Sequence, residues 1–301
     1  MPSDPRISLV VLTHNRAATL LHTLAQLSTL PEQVPIIVVD NASGDDTATQ
    51  VARHFPSVTL VRCRSNLGAA GRNAGVEQVR TPYVAFCDDD VWWAPGALRR
   101  AADLLDRHPR VAAIAARVLV GPQQREDPTC RLMADSPLDA SGLPGPGLIG
   151  FMAGTVAMRS DAFRAVGGYQ PRLFLGGEER LLGLDLASRG WQMSYAADVV
   201  CHHHPSPQRD TPGRRRLLAR NALWIAWLRL PWSSLLHETR RVAREAAAAG
   251  LLFTVLRDAV RGLPWILRER RVLPAEVEAQ RRRVLGGPPM RRPPKSVAWR
   301  T

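Results

Sequence analysis

Three consecutive carboxylates, Asp88, Asp89 and Asp90, directly follow the apolar run of residues 83–87. Side chains two apart on a strand point the same way, so Asp88 and Asp90 are expected to converge while Asp89 faces elsewhere. Their mutual repulsion makes burial costly unless a cation compensates. Such oxygen ligands suit Mg²⁺ or Mn²⁺, which usually take one or two carboxylates and share the rest with substrate phosphates. The alternative is a solvated acidic turn that caps a helix starting near Pro95.

Two sequence patterns alternate along the part of the chain that must position this triplet. Apolar runs typical of buried strands are separated by stretches with helical spacing, which predicts an α/β fold with a mostly parallel sheet flanked by helices. Ligands bind such sheets at the carboxyl ends of the strands, where the sequence places Asn15, Asp40, Asn66 and the triplet. Residues 121–149, rich in proline and glycine, are predicted to form a loop. The predicted strands are 7–12, 34–40, 58–61, 83–87, 111–120 and 191–200.

Residues 68–75 contain three glycines after a predicted strand, which raises the possibility of a dinucleotide site. The glycine spacing of the Rossmann fingerprint is G-x-G-x-x-G, whereas here it is G-x-x-G-x-x-x-G. The acid found some twenty residues further on is also a triplet and not a single residue. We therefore disfavour a dehydrogenase.

Positive charge is concentrated in the last third of the 301 residues. Residues 1–204 contain 19 Arg and 20 Asp or Glu, whereas residues 205–301 contain 21 Lys or Arg and 7 acids, for a net charge of +13 overall. Nucleic-acid binding would fit this charge. No nucleic-acid motif accompanies it, however, and it is separated from the acidic site. We predict no nucleic-acid partner.

Cysteine usage and hydropathy indicate a cytoplasmic protein. The four cysteines show no C-x-x-C spacing, as expected for buried thiols in a reducing compartment. The N-terminus has no signal-peptide pattern. The longest nearly apolar stretch of the last third, residues 246–256, is too short to span a bilayer.

Four short segments occur in an order that resembles the family 2 glycosyltransferases with the GT-A fold. They are residues 13–16 (THNR), 39–45 (VDNASGD), 66–73 (NLGAAGRN) and 88–90 (DDD). The resemblance runs from residue 6 to about residue 205 and is to bacterial transferases of the rhamnosyl and galactosyl type. It implies an inverting transfer of a sugar from a nucleotide-diphosphate donor to a hydroxyl acceptor, assisted by Mg²⁺ or Mn²⁺.

The resemblance also implies roles for individual donor-site residues. Asp40 would contact the nucleotide base, and Thr13 and Asn15 would enclose the nucleoside. Asp88 and Asp90 would lie beside the metal–diphosphate and the sugar. Arg72 could add a fixed positive charge suited to phosphate oxygens, or be an exposed helix arginine. The other residues assigned to donor binding are Arg16, Asn66 and Asp89.

The acceptor side is expected from a second acidic pair, Glu178 and Glu179. An inverting transfer needs a base for the acceptor hydroxyl. The family usually provides it from a Glu-Asp pair, but Glu179 stands where Asp is usual and Leu181 where a further acid often lies. We predict Glu179 as the base, with Glu178 second. The alternative is an acidic helix N-terminus favoured by the helix dipole.

The resemblance places one histidine of the run 202–204 near the metal–diphosphate. His202 is our first choice as a metal ligand and His203 the second. Three adjacent histidines on a strand point alternately, so they cannot all converge on a tetrahedral zinc ion.

The chain is predicted to have three parts: a GT-A catalytic domain (1–205), a basic helical region (206–285) and a disordered Pro/Arg-rich tail (286–301). Five of the eight tryptophans lie beyond residue 205. Tryptophan and arginine on short helices suit peripheral contact with an anionic membrane surface. The helices could instead pack on the catalytic domain or form a homodimer.

The leading hypothesis is a metal-assisted inverting glycosyltransferase that acts on a glycan or lipid-linked acceptor at the cytoplasmic face, in cell-envelope or surface-polysaccharide assembly. The alternative is a non-catalytic sugar-nucleotide-binding scaffold, motivated by the departures at Glu179 and Leu181. A nucleotidyltransferase of similar fold is disfavoured because residues 8–16 contain neither Gly nor Lys.

Overall fold

The computed structural model describes residues 6–205 and 211–286, and residues 6–205 carry a nine-stranded mixed sheet. Its strands are β1 (Ile7–Thr13), β2 (Ile36–Asp40), β3 (Thr59–Arg62), β4 (Tyr83–Asp88), β5 (Val91–Trp93), β6 (Val111–Val120), β7 (Arg125–Glu126), β8 (Val156–Arg159) and β9 (Gln192–His203). The sheet order is β3-β2-β1-β4-β8-β6-β9-β5, with β7 paired to β6. β1, β2, β3 and β4 are mutually parallel, and β6 is parallel to β9. The predicted α/β fold with a mostly parallel sheet is confirmed.

The helices fall into two groups: those that alternate with the strands before residue 205, and those that follow at the end of the chain. The helices before residue 205 are α1 (Ala17–Ser28), α2 (Thr47–His54), α3 (Gly71–Gln78), α4 (Ala97–Arg107), α5 (Pro128–Ala134), α6 (Ser160–Ala165) and α7 (Glu178–Ser188). Those beyond it are α8 (Thr211–Arg229), α9 (Trp232–Ala248), α10 (Leu252–Arg261), α11 (Leu263–Glu269) and α12 (Ala275–Gly286). Short 3₁₀ helices form at Gly68–Ala70 and Pro171–Leu173.

The central strands owe their position to continuous apolar runs. In β1, Ile7, Leu9, Val10 and Val11 are all fully buried, as expected for a strand covered on both faces. The glycines of α3 bring that helix close to the sheet: a Cβ added at Gly75 would lie 2.5 Å from Val10 Cγ1. Close helix packing therefore accounts for a glycine pattern that resembles a dinucleotide site.

The helices beyond residue 210 share a second hydrophobic core with residues 6–205, which carry the sheet. Trp224 and Trp265 pack edge-to-face there, with ring centroids 5.4 Å apart, and Leu181 and Leu184 of α7 belong to the same cluster. The prediction that the tryptophans suit a membrane surface is therefore wrong for these two, because they are buried in protein. These helices pack on the sheet-bearing residues 6–205, as the sequence analysis had left open as an alternative.

Two other predictions are affected by the structure. Residues 121–149 are not all loop: Asp127 caps α5 by accepting the Thr129 N–H at 2.8 Å, with Pro128 in the first turn. The predicted tail lies outside the described residues except for Gly286. Among the described residues, no helix combines the length and the apolar character needed to cross a membrane.

Candidate active site

Polar residues meet where the parallel strands end. β1 and β4 pair Leu12 with Asp88, and β1 and β2 pair Thr13 with Asp40. Leu12, Thr13 and Asp88 line a cleft of about 740 Å³. Nine of the predicted site residues line it, which brings both acidic clusters into one cavity: Thr13, Arg16, Asn66, Arg72, Asp88, Asp89, Asp90, Glu178 and Glu179.

Arg16 holds the second and third aspartates of the triplet. Its guanidinium donates to Asp89 Oδ1 at 2.5 Å and to Asp90 Oδ2 at 3.0 Å, and Thr13 donates its hydroxyl to Asp89 Oδ2. Burial raises the pKa of Asp89 to about 7, against the opposing effect of Arg16. The strand-alternation prediction for Asp89 is wrong because β4 ends at Asp88 and the next two residues turn.

Asp88 is paired separately, with the buried Arg72 of α3. The two side chains form an ion pair in which the arginine is 5% exposed and the aspartate 43%. The alternative of an exposed helix arginine is therefore excluded. Gly154 makes room for Asp88, since a Cβ at that position would lie 2.5 Å from its carboxylate oxygen. Burial has the largest single effect and lowers the pKa of Arg72, but Asp88, Tyr169 and Glu178 together outweigh it and the net pKa is raised.

A cluster of partnerless polar atoms surrounds Arg72. Its Nε, Tyr169 Oη and Glu178 Oε2 are buried and have no hydrogen-bond partner within the described parts of the chain. The Arg72 guanidinium carbon lies 5.7 Å from the centre of the Tyr169 ring. Unsatisfied buried polar groups are rare in folded proteins, so this grouping is typical of a site that binds a polar ligand.

Asn41, which the sequence analysis assigned no role, organises the donor side of the cleft. Its side chain donates to Asn66 Oδ1 at 3.0 Å and to the Gly68 carbonyl at 2.9 Å, and accepts the Leu67 N–H. It is nearly fully buried. The sequence feature that could have indicated this role is the position of Asn41, directly after Asp40 at the end of a strand.

Asn15 and Asp40 lie beside the cleft and do not line it. Both contact the turn after β2: Asp40 Oδ1 accepts the Ser43 N–H at 2.8 Å, and Asn15 Oδ1 accepts the Gly44 N–H at 2.7 Å. Asp40 is 1% exposed. In this structure both side chains support the turn.

His203, and not His202, lies next to the aspartates. His203 Nε2 is 3.5 Å from Asp90 Oδ1, whereas His202 Nδ1 is 2.6 Å from Gln124 Oε1 and its ring stacks on Trp92. His203, the second choice, is therefore the histidine that lies at the cleft, and its role as a metal ligand stays a prediction. His202 and His203 are neighbours on β9, so their side chains point to opposite faces of the strand. The sequence alone does not determine which of these faces meets the cleft.

The donor atoms present fit a divalent cation bound together with phosphate. Within the described residues, no group of three or more His, Cys, Asp or Glu side chains is arranged to hold an ion alone. Asp90 and His203 nevertheless supply an oxygen and a nitrogen at the spacing of neighbouring ligands, and the Asp88 carboxylate faces the cleft. Mg²⁺ and Mn²⁺ commonly use one or two such residues and take their other ligands from substrate phosphates.

Glu178 and Glu179 form the first turn of α7. Glu178 is buried and Glu179 half-buried, and both line the cleft. Burial raises the pKa of Glu178. Burial, and to a smaller degree the Glu178 carboxylate, raises the pKa of Glu179 to about 7. A carboxylate with a pKa near neutrality suits a general base.

Side chains from α8 complete the rim of the cleft. Arg214 and Leu218 line it together with Phe174 and Leu175, and these last three are each about two-fifths exposed. The sequence analysis did not place any residue beyond 205 in the site. An arginine run inside a helix carries no signal for which pocket it borders.

The chain matches the family model described as glycosyl transferase family 2 over residues 8–167. A relative from Mycobacterium tuberculosis H37Rv, N-acetylglucosaminyl-diphospho-decaprenol L-rhamnosyltransferase, is 26% identical over 244 residues, covering 68% of this chain and 78% of that protein. The pre-mycofactocin glycosyltransferase of the same organism is 29% identical over 238 residues, covering 75% of this chain but only 48% of that protein.

Solved structures show the same fold. A Pyrobaculum calidifontis mannosyltransferase, PcManGT, in complex with GDP-Man and Mn²⁺ superimposes with a TM-score of 0.59 at 19% identity, covering 93% of this chain and 87% of that one. Residues 1–349 of S. aureus TarS in complex with UDP-GlcNAc give a TM-score of 0.61 at 16% identity, covering 91% and 83%. The predicted GT-A fold and glycosyltransferase activity are confirmed, and the chain belongs to glycosyl transferase family 2.

Proposed function

We propose that the protein transfers a sugar, with inversion, from a nucleoside-diphosphate donor to a hydroxyl of a glycan or lipid-linked acceptor in cell-envelope or polysaccharide assembly. The observation that carries this proposal is one cleft holding an arginine-paired aspartate triplet and an acidic pair with raised pKa values. The first set suits a diphosphate leaving group, and the second suits removal of a proton from an acceptor hydroxyl. The UDP-GlcNAc complex of TarS supports a nucleotide-sugar donor. The name of the M. tuberculosis rhamnosyltransferase, which includes a diphospho-decaprenol, supports a lipid-linked acceptor.

The donor half of the site would act mainly by electrostatics. Loss of a nucleoside diphosphate places negative charge on the leaving phosphate. Arg72 and Arg16 are fixed cations beside the triplet, and the planar guanidinium forks match phosphate oxygens. When bound, Mg²⁺ or Mn²⁺ at Asp90 and His203, beside Asp88 and with its other ligands taken from the phosphates, would add Lewis-acid stabilisation of that charge.

The acceptor half would act by proton transfer. Glu179 would accept the hydroxyl proton as the oxygen attacks the sugar carbon. Its raised pKa lies closer to neutral pH than that of an ordinary glutamate, which makes it a stronger base. Burial mainly keeps this pKa high, and Glu178 would add a smaller contribution as the neighbouring carboxylate.

We also propose that the helices beyond residue 210 contact an anionic membrane surface, which would bring a lipid-linked acceptor to the cleft. Phe253, Val260 and Leu267 follow one another at seven-residue spacing and are 78%, 53% and 75% exposed. Gly262, between α10 and α11, keeps helical backbone angles of −84° and −9°. The three apolar side chains therefore share one side, which we call the α10–α11 face.

The charge of the α10–α11 face complements anionic lipid. Arg257 and Arg261 are 44% and 70% exposed, and Arg268 is exposed beside Leu267. Asp258 is only 12% exposed and pairs with Arg216 of α8, with Nε–Oδ2 at 2.6 Å, while its Oδ1 lies 3.6 Å from both Arg257 and Arg261. Apolar side chains among outward-facing arginines are typical of helices that lie in the headgroup region.

Thermal stability with a panel of nucleoside diphosphates and their sugars tests the donor site. A ligand at about 100 times its Kd adds about 2.7 kcal/mol to the folded state. We expect one nucleotide to raise the Tm with Mn²⁺, less so with EDTA, and to lose the Mn²⁺-dependent part in Asp90→Asn. Asp198→Asn, an exposed aspartate outside the cleft, is the control. If no nucleotide raises the wild-type Tm under either condition, the donor-site proposal is wrong.

A further inference from the structure

The loop that leads into Glu178 has a backbone that is unfavourable by itself. Phe174, Gly176 and Gly177 have φ angles of 62°, 89° and 87°. A phenylalanine rarely adopts a positive φ. The Leu175 N–H donates to the Leu173 carbonyl at 2.7 Å, so Phe174 is the centre of a strained γ-turn. Such a conformation persists only when surrounding contacts hold it.

Asn221 of α8 supplies those contacts. Its Nδ2 lies 2.9, 3.1 and 2.6 Å from the carbonyl oxygens of Leu173, Leu175 and Gly176, so its two N–H groups donate to three acceptors and one of these bonds is bifurcated. Its Oδ1 accepts from the Arg220 guanidinium at 2.7 Å. Three carbonyls on one side and a guanidinium on the other fix the orientation of the amide, and the side chain is fully buried.

The same loop contacts the donor side of the cleft. The Ala69 N–H donates to the Phe174 carbonyl at 2.6 Å. Gly68 packs against this carbonyl so closely that a Cβ there would lie 1.9 Å from its oxygen. Ala69 belongs to the segment between Asn66 and Arg72, both of which line the cleft. The loop is thus held between the donor segment and α8.

We propose that Asn221 is a positioning residue: by holding the carbonyls of residues 173–176 it sets where α7 begins and hence where the Glu178 and Glu179 carboxylates stand. This rests on the proposed function, in which Glu179 is the base. Glu178 is the first residue of α7, directly after Gly177, so no intervening turn can absorb a shift of the loop. The helical region thereby acts in catalysis as well as in packing.

The substitution Asn221→Asp tests this with little change of size. It replaces the N–H donors by an oxygen that faces three carbonyl oxygens, while the carboxylate keeps its contact with Arg220. We expect faster amide hydrogen exchange across residues 173–178. We also expect kcat to fall by about 10- to 100-fold, as for a catalytic group displaced by about 1 Å. The affinity for the stabilising nucleotide should fall less than kcat, because Arg72 and the aspartate triplet keep their own ion pairs.

Ser234→Ala is the matched control. Ser234 is also buried in the helical region and donates to Glu278 at 2.5 Å, but no hydrogen bond joins it to the loop. It should lower the Tm without changing kcat or exchange at 173–178. Hydrogen exchange tests the proposal even if no donor is found, so failure of the proposed function is distinguishable. Unchanged exchange in Asn221→Asp, or equal effects in the two variants, would overturn the positioning role.

Discussion

At the scale of single residues, the two carboxylates that open α7 differ in ways that separate their roles. Glu178 is 6% exposed and lies near Arg72 and Asp88, whereas Glu179 is half-buried at the cleft wall and has the pKa raised to about 7. The more accessible of the two is better placed to reach an acceptor hydroxyl. Glu178 is better suited to tune its neighbour than to exchange protons with a substrate.

Replacing each glutamate by glutamine therefore gives different expected results. Glu179→Gln removes the base and should lower kcat by about 10²- to 10⁴-fold, the usual contribution of general base catalysis. Glu178→Gln keeps the base and should have a smaller effect on kcat. Steady-state kinetics with the stabilising sugar nucleotide measure both. A larger loss of kcat in Glu178→Gln than in Glu179→Gln would reverse the assignment.

The pH dependence follows from the raised pKa of the pair. The base works only when deprotonated, and its pKa lies above that of an ordinary glutamate, so activity should fall as the pH drops through about 7 and not near 4.5. The two carboxylates interact, so the profile reports the pair. Removing the Glu178 charge should move the acid limb of kcat to lower pH. An acid limb that stays in place in Glu178→Gln would contradict this.

At the scale of elements, the corner between β4 and β5 is held by α1 and the end of β1. Arg16, directly before α1, pairs with Asp89 and Asp90, and Thr23 within α1 donates its hydroxyl to the Asp89 carbonyl at 2.7 Å. Asp89 and Asp90 are 5% and 7% exposed, so their charges are largely out of water. Arg16 thus keeps a buried acidic turn folded when substrate is absent.

Arg16→Met should destabilise the protein. Breaking a buried pair costs about 3–5 kcal/mol, and we expect about 2–3 kcal/mol here because Arg16 is 30% exposed. Arg100→Met breaks an exposed pair with Asp198 and should cost at most about 1 kcal/mol. Denaturant unfolding compares the two. Equal losses would mean that the aspartate turn does not depend on Arg16.

The elements could be predicted from the sequence more accurately than the details of the site. Continuous apolar runs identified most strands of the sheet, because burial on both faces leaves few alternatives. Which histidine faces the cleft depends on the phase of β9, and the pairing of Asp89 depends on where β4 ends. In both cases a shift of one residue along the strand changes which side chains face the cleft, and the amino-acid composition does not determine that shift. The contribution of Asn221 depends on contacts 45 to 48 residues apart and has no local signal.

At the scale of the whole molecule, the last third has one buried side and one exposed side. The buried side joins α7 in the second hydrophobic core, which uses Trp224 and Trp265. Helical spacing of apolar residues predicts amphipathic helices but does not say which apolar residues face protein and which face solvent. The α10–α11 face is the exposed apolar side of these helices. α8 packs beneath it through the ion pair of Arg216 and Asp258 and also borders the cleft.

Sedimentation of the full chain with vesicles tests whether this face binds lipid. We expect binding to vesicles rich in phosphatidylglycerol and little binding to phosphatidylcholine, because each arginine near an anionic surface contributes about 1 kcal/mol. Phe253→Ser with Leu267→Ser should weaken binding at least about 10-fold through the lost apolar insertion. Leu132→Ser, at a 43%-exposed leucine on α5, is the control and should bind like the wild type.

The same variants separate the membrane from a second copy of the chain as the occupant of the α10–α11 face. If the face formed a homodimer, light scattering would report a dimer in the wild type and a monomer in the Phe253/Leu267 double variant, with vesicle binding unaffected by the substitutions. That result, or equal binding to charged and uncharged vesicles, would overturn the membrane proposal. A lipid-specific loss in the double variant alone would instead connect the exposed apolar side chains to delivery of the acceptor, since α8 links this face to the rim of the cleft.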